Sequence, residues 1–171
     1  TPEGLEIGRA QAVQAEAAGV PCPTDMNPLL LKPSSEHTSQ VVLLGKPIGD
    51  RNAYEYFRKE GREELRKVVN ESYNRLATRY NPIVMEGAGS ISEINLRDVD
   101  LVNMPMAKHA GADVFLVADI DRGCVFASVY GSILLQTPEE RSLIKGIIIN
   151  KFRGDIRLFE SGIKMIEDLC K

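Results

Sequence analysis

Short apolar runs alternate along the chain with stretches in which apolar residues recur every three or four positions. The runs at Ile83–Glu86, Val114–Asp119 and Gly146–Asn150 have an uninterrupted apolar stretch and end at a polar residue, which is typical of strands buried on both faces. They recur about every thirty residues, with helical patterns between them. This spacing predicts βαβ units, and therefore an α/β fold with a mostly parallel sheet flanked by helices.

The remaining patterns predict further helices, strands and turns. Helices are expected over residues 3–18 (from about Gly8), 51–80 (with a break near Gly61), 125–136 and 156–170. Short strands are expected at 29–32 and 41–45, with a turn at 46–50. Thr137-Pro138-Glu139-Glu140 puts a proline and two acids in a first helical turn, which predicts a helix start there.

Each of the three apolar runs is followed by a polar segment that contains glycine. Because the carboxyl ends of parallel strands lie along one edge of a sheet, Glu86, Asp119 and Asn150 are expected to share a rim. Gly87 and Gly89 carry no side chain, so a phosphate or a metal ion can approach the backbone closely. Glu86 is the kind of oxygen ligand that a hydrated Mg²⁺ ion takes.

Other groups at these ends also suit an anionic ligand. The Arg122 guanidinium offers a fork of donors to phosphate or carboxylate, and Gly123 precedes a predicted helix whose first N–H groups attract anions. The Asn150 amide could contact the edge of a nucleobase. Ordinary structural roles remain open for all of them: helix capping by Asp119 and Asp121, a surface ion pair for Arg122, and a plain strand exit at Asn150-Lys151.

Composition narrows the class of protein. The chain has 171 residues, 43% of them hydrophobic, which is enough for one domain with a sizeable core. The net charge of −3 argues against a nucleic-acid surface, and no apolar run approaches the roughly 20 residues of a membrane span. The three widely spaced cysteines predict free thiols in a reducing cytoplasm, and Cys124 is expected to be a small buried thiol because no base is placed to activate it.

Several motifs, taken together and in order, resemble the cobyric acid synthases over nearly the whole chain. The motifs are Glu6–Ala12, Asp25–Pro28, Leu31–Pro33, Glu86–Ser90, Glu93–Leu96, Val117–Gly123 and Ile149–Asp155. The resemblance is to the synthetase domain of that family, which implies a P-loop NTPase-like fold similar to that of dethiobiotin synthetase.

The resemblance also implies a reaction. That family uses ATP, Mg²⁺ and ammonia from glutamine to amidate the b, d, e and g carboxylates of adenosylcobyrinic acid a,c-diamide, which gives adenosylcobyric acid in cobalamin biosynthesis. Each carboxylate would be phosphorylated and then attacked by ammonia. By position, Glu86 would bind Mg²⁺, and Asp119, Asp121 and Arg122 would lie beside the reacting carboxylate and phosphate. The nucleotide would contact Gly87, Gly89, Gly123, Asn150 and Lys151, and the corrinoid substrate or the phosphates would contact Glu6, Arg9, Gln11 and Asn27.

Two parts of the family's full-length protein are not found in residues 1–171. The phosphate-binding loop Gly-x-x-x-x-Gly-Lys-[Ser/Thr] is expected upstream of Thr1, and the glutaminase domain of the same chain is expected downstream of Lys171. We therefore expect a partial synthetase domain that is inactive by itself. Such a domain could have an exposed sheet edge or form a homodimer contact.

Two other functions remain open. Cobyrinic acid a,c-diamide synthase shares the architecture, although the Asp119–Gly123 signature favours the cobyric acid synthases. A nucleotide-binding partitioning-type ATPase would need basic surfaces directed at DNA or membrane, which the composition does not supply.

Overall fold

A computed structural model describes residues 1–33, 38–52 and 61–170. The chain divides into two units, Thr1–Glu86 and Gly87–Lys171. The first contains α1 (Arg9–Ala17), β1 (Leu29–Pro33), β2 (Thr38–Leu43), β3 (Lys46–Asn52) and α2 (Arg62–Ala77). The second contains α3 (Met104–Ala110), β4 (Val114–Asp119), α4 (Val125–Leu134), α5 (Pro138–Leu143), β5 (Ile144–Asn150) and α6 (Glu160–Leu169). Short 3₁₀ turns lie at Thr24–Met26, Ile94–Val99, Ile120–Arg122 and Ile156–Leu158.

The sheet of the first unit is antiparallel, in the order β1-β2-β3. Leu44 and Gly45 join β2 to β3, and both have positive φ angles, of 47° and 76°. Two such residues make the tight turn whose twist suits a hairpin. The prediction of a turn at Lys46–Asp50 was therefore wrong, because the chain reverses two residues earlier and continues as β3. Pro47 is tolerated in β3 because this strand is at the end of the sheet order.

The helices of the first unit follow the sequence pattern. Gly8 is the N-cap of α1, as expected, and α2 begins directly after Gly61, where the break was predicted. The predicted start of this helix at residue 51 was wrong, because residues 51 and 52 pair with β2 as the end of β3. Residues 53–60 of the predicted helix lie outside the described residues. The Arg75 side chain of α2 binds both carboxylate oxygens of Asp25, with Nη2–Oδ1 at 2.6 Å and Nε–Oδ2 at 3.0 Å. This forked pair attaches α2 to the Thr24–Met26 turn.

In the second unit, β4 and β5 form a parallel pair. One face of the pair packs against α4 and α6 around Ala118, Val125, Val129 and Ile166. On these two strands, Phe115, Val117 and Ile148 remain 57%, 59% and 49% exposed. The expectation that these strands are buried on both faces was wrong. Successive side chains of a strand point to opposite faces, and the side chains on the face away from α4 and α6 remain exposed.

Segment Ile83–Glu86 is not a strand of any sheet in the described part of the chain. Val84 is 93% exposed, so the prediction of a doubly buried strand here was wrong. A run of three apolar residues carries no periodicity, and it becomes a strand only where another strand offers backbone donors and acceptors. The α/β class is confirmed, but only β4 and β5 are parallel among the described strands.

The predicted helix start at Thr137 is confirmed by a complete capping box. Glu140 N donates to Thr137 Oγ1 at 3.3 Å, and the Glu140 carboxylate accepts from Thr137 N and Oγ1, both at 2.9 Å. Burial raises the pKa of Glu140, but these hydrogen bonds and the nearby Lys108 and Arg97 charges outweigh it, so the pKa is lowered overall.

Across the described residues, no helix combines the length and apolar character that a bilayer crossing requires.

Candidate functional site

The carboxyl ends of β4 and β5 lie side by side. Asp119 ends β4, Asn150 ends β5, and the two residues are directly paired in the parallel ladder. The local reason is the sequence pattern: both apolar runs stop at the same register position. The structure thus places two of the three predicted polar strand ends together. The third, at Glu86, does not end a strand.

An ion pair joins these two ends. The residue after β5, Lys151, has a φ angle of +58°, and its Nζ lies 2.7 Å from Asp119 Oδ2. Its backbone N–H donates to Asn150 Oδ1 at 2.9 Å. The hydrogen bond from Lys151 lowers the pKa of Asp119 below its ordinary value; desolvation opposes this shift, and the Asp121 N–H and the Arg122 charge add to it. Asp119 is therefore held as a carboxylate.

Further charges surround this pair. Asp119 Oδ1 accepts from Asp121 N at 3.0 Å, so Asp119 caps the Ile120–Arg122 turn as the ordinary alternative allowed. Arg122 Nε is 3.7 Å from Asp119 Oδ2, and Arg153 Nη2 is 3.1 Å from Asp121 Oδ2. Two carboxylates thus meet three basic side chains, a local charge of +1. Arg153 was not among the predicted site residues, although it lies in the Ile149–Asp155 motif after β5.

The turn into α4 follows this cluster. Gly123 and Cys124 have φ angles of +73° and +53°, and Cys124 is the N-cap of α4. The first turn of α4 holds no acidic residue, which leaves its positive end uncompensated by a carboxylate of its own. Cys124 is exposed, so its predicted burial was wrong: an N-cap residue precedes the packed turns of its helix. Cys22, Cys124 and Cys170 are all free thiols, as predicted.

The glycine turn after Glu86 is held by a residue that the sequence did not indicate. Asn103 Oδ1 accepts from Ala88 N at 3.1 Å, and Asn103 Nδ2 donates to Ala88 O at 2.8 Å. A Cβ on Gly87 would lie 2.3 Å from Asn103 Oδ1, so a side chain there would displace the Asn103 amide. Gly89 has a φ angle of +68°, which also favours glycine. No local pattern marks Asn103, because it precedes a Met-Pro pair that predicts only a helix boundary.

Glu86 belongs to the first unit, and its carboxylate is exposed. Gln14 Nε2 donates to Glu86 Oε2 at 3.0 Å, a contact that the sequence did not predict. No group of three or more His, Cys, Asp or Glu side chains suited to a metal ion occurs among the described residues. A single carboxylate suits Mg²⁺, which takes one or two protein carboxylates and keeps its other ligands as water and phosphate. The shared rim of Glu86 and Asp119 stays a prediction.

The four residues predicted to contact the substrate all lie in the first unit. Glu6 pairs with Lys32 Nζ at 2.9 Å. Asn27 Oδ1 accepts from Gly8 N at 3.1 Å, and Asn27 Nδ2 donates to Leu29 O at 3.3 Å, which makes Asn27 a brace between α1 and β1. Gln11 lies against Gly8, and Arg9 is exposed at the start of α1. Their roles toward a substrate stay predictions.

Known proteins share this sequence closely. The chain is 84% identical over 170 residues to a cobyric acid synthase of Bacteroides fragilis, and 62% identical over 170 residues to one of Parabacteroides distasonis. The match covers 99% of this chain in both cases. Over nearly its whole length, the chain therefore resembles a part of the cobyric acid synthases. It spans about a third (34%) of the length of these cobyric acid synthases. No protein-family model matches the chain, and no solved structure matches it significantly.

Proposed function

We propose that the full-length protein containing this chain is a glutamine-dependent amide ligase. It would amidate the b, d, e and g carboxylates of adenosylcobyrinic acid a,c-diamide, in cobalamin biosynthesis, and residues 1–171 would form part of its synthetase domain. A glutaminase domain of the same protein would supply ammonia. The similarity to cobyric acid synthases supports the family, and the charged end of the β4–β5 pair supports the chemistry.

The observation that carries the proposal is the Asp119–Lys151 pair at two adjacent parallel strand ends. A carboxylate is a poor acyl donor, and its phosphorylation brings together several negative charges. Lys151, Arg122 and Arg153 would stabilise those charges, while Asp119 and Asp121 hold the cations in place before the ligand arrives. Such a preorganised cluster is suited to an acyl phosphate.

Other residues of the chain have side chains or backbone groups that suit ATP and Mg²⁺. ATP, bound with Mg²⁺, would supply the phosphoryl group that activates the carboxylate. Glu86 would hold the Mg²⁺ ion, with its carboxylate oriented by Gln14. The Gly87–Gly89 turn and the start of α4 after Gly123 would lie against phosphates, and Asn150 against the base. Glu6, Arg9, Gln11 and Asn27 would contact the corrinoid or the phosphates.

We infer that the complete fold is P-loop NTPase-like. Parallel sheets are normally covered on both faces, whereas Phe115, Val117 and Ile148 are exposed on the β4–β5 pair of this chain. Additional strands and helices from the rest of the full-length protein would complete a doubly wound sheet and cover these side chains.

The test is an assay of the full-length protein with ATP, Mg²⁺, glutamine and the corrinoid acid. We expect successive amidated products by mass spectrometry, and a loss of two to three orders of magnitude in kcat for Asp119→Asn and Lys151→Met. Lys67→Met is the matched control, because Lys67 forms an exposed ion pair with Glu71 on α2 at 4.0 Å. Wild-type kcat in the two site variants would contradict the assigned roles.

The same assay separates the alternatives. Amidation at the a and c positions of cobyrinic acid would favour the diamide synthase. ATP hydrolysis that is stimulated by DNA and needs no corrinoid would favour a partitioning-type ATPase.

A further inference from the structure

The side chain of Asn103 does not make the capping hydrogen bond that asparagine usually makes at the start of a helix. This residue is the N-cap of α3, and asparagine is among the best N-cap residues because its side chain accepts a hydrogen bond from the first helical turn. Here the side chain makes no capping hydrogen bond. Both ends of the amide are instead engaged by Ala88, at 3.1 Å and 2.8 Å. The amide therefore pairs with Ala88 much as a neighbouring strand would.

Other contacts hold this arrangement in place. Asp100 Oδ1 accepts from Val102 N at 2.8 Å and from Asn103 N at 3.2 Å, which fixes the backbone that carries Asn103. On the far side of the turn, the buried Gln136 donates to Ile91 O at 2.9 Å. The segment from Gly87 to Ile91 is thus attached at both ends. The absence of a Cβ at Gly87 is what lets Asn103 approach this closely.

We propose that Asn103 is a positioning residue that fixes the Gly87–Ser90 turn, which follows Glu86 in the chain, for binding of the nucleotide phosphates. The inference rests on the proposed function for the identity of the ligand, and on the Ala88 contacts for the positioning itself. Without the amide, the turn would sample other conformations. The ligand would then have to select the competent one, which weakens its apparent binding.

Two substitutions separate positioning from helix capping. Asp and Ser are N-cap residues of the same quality as Asn, so a purely capping role predicts that Asn103→Asp and Asn103→Ser change nothing. Asp cannot donate to Ala88 O and would place a carboxylate oxygen against it, and Ser is too short to span both Ala88 groups. Asn70→Asp, on α2 of the first unit, is the matched control because it makes the same chemical change on another helix.

The experiment uses the full-length protein and two readouts. We expect kcat/KM for ATP to fall about tenfold or more in Asn103→Asp and Asn103→Ser, with the melting temperature unchanged. Hydrogen–deuterium exchange of the peptide that contains Ala88 should become faster in both variants, and Asn70→Asp should match the wild type in both readouts.

The outcomes distinguish this inference from the proposed function. If the wild-type protein does not amidate a corrinoid, the proposed function fails, and the exchange rate at Ala88 still decides the role of Asn103. Unchanged exchange in both variants would overturn the inference. Wild-type kcat/KM for ATP in both variants of an active protein would also overturn it. A loss of activity that is accounted for by a fall in melting temperature would do the same.

Discussion

The contact between Gly87 and Asn103 makes a sharp prediction about a single added methyl group. In Gly87→Ala, the new Cβ would lie 2.3 Å from Asn103 Oδ1, about 1 Å inside ordinary van der Waals contact. The backbone of Gly87 does not have a positive φ angle, so alanine introduces no strain of its own there. The whole effect should therefore come from displacing the Asn103 amide.

The magnitude follows from what that displacement removes. Asn103 would lose its hydrogen bonds to Ala88 N and Ala88 O, each of which contributes about 0.5–1.5 kcal/mol net. The turn should therefore be destabilised by about 1–3 kcal/mol. If the turn must be ordered to bind ATP, kcat/KM for ATP should fall by about 5- to 150-fold, since 1.4 kcal/mol corresponds to a factor of ten.

A double-mutant cycle in the full-length protein tests this reasoning. The four proteins are the wild type, Gly87→Ala, Asn103→Ser and the double variant, and the measurement is kcat/KM for ATP. Asn103→Ser removes the amide, so adding Gly87→Ala to it should cost less than about 0.5 kcal/mol, and the coupling energy should be about 0.5–3 kcal/mol. Strictly additive effects would refute the proposed contact as the reason for glycine at position 87.

Three further predictions concern other parts of the chain. Gly45→Ala and Gly61→Ala both strain a positive φ angle, but the added Cβ at position 45 would also lie 2.6 Å from Leu5 Cβ. Gly45→Ala should therefore lower the melting temperature clearly more than Gly61→Ala does. Equal changes in melting temperature would contradict the packing of the hairpin. Thr137→Ala should destabilise the second unit by about 1 kcal/mol, whereas Thr137→Ser should not, as measured by thermal unfolding. Lys151→Met should raise the pKa of Asp119 towards its ordinary value, so the acidic limb of the kcat/KM profile should move to higher pH; an unmoved limb would show that Lys151 does not set this pKa.

Elements with strong local signals could be predicted from the sequence. Helix α1 has a good helix-forming composition, α5 has its capping box, and β4 and β5 are apolar runs long enough to recognise. The pairing of Asp119 with Asn150 followed from the parallel spacing, because equivalent strand ends fall on one edge. Local composition and spacing were sufficient where a signal extends over several residues.

Features that depend on distant partners could not be predicted in this way. The Leu44-Gly45 hairpin lacks the Asn-Gly or Asp-Gly pair that usually marks such turns. Ile83–Glu86 has the composition of a strand, but strand formation depends on a partner that sequence pattern does not reveal. Asn103 acts on Ala88, fifteen positions earlier in the chain, so its role is visible only in three dimensions.

The most direct test of the central claim follows oxygen atoms through the reaction. The full-length protein would be supplied with ATP, Mg²⁺, glutamine and a corrinoid acid whose carboxylates carry heavy oxygen. If a carboxylate oxygen attacks the γ-phosphorus and leaves with phosphate when ammonia attacks the acyl carbon, one labelled oxygen should appear in inorganic phosphate for each amide formed. Amide formation with unlabelled phosphate would contradict the acyl phosphate route, and with it the chemistry proposed for the Asp119–Lys151 cluster.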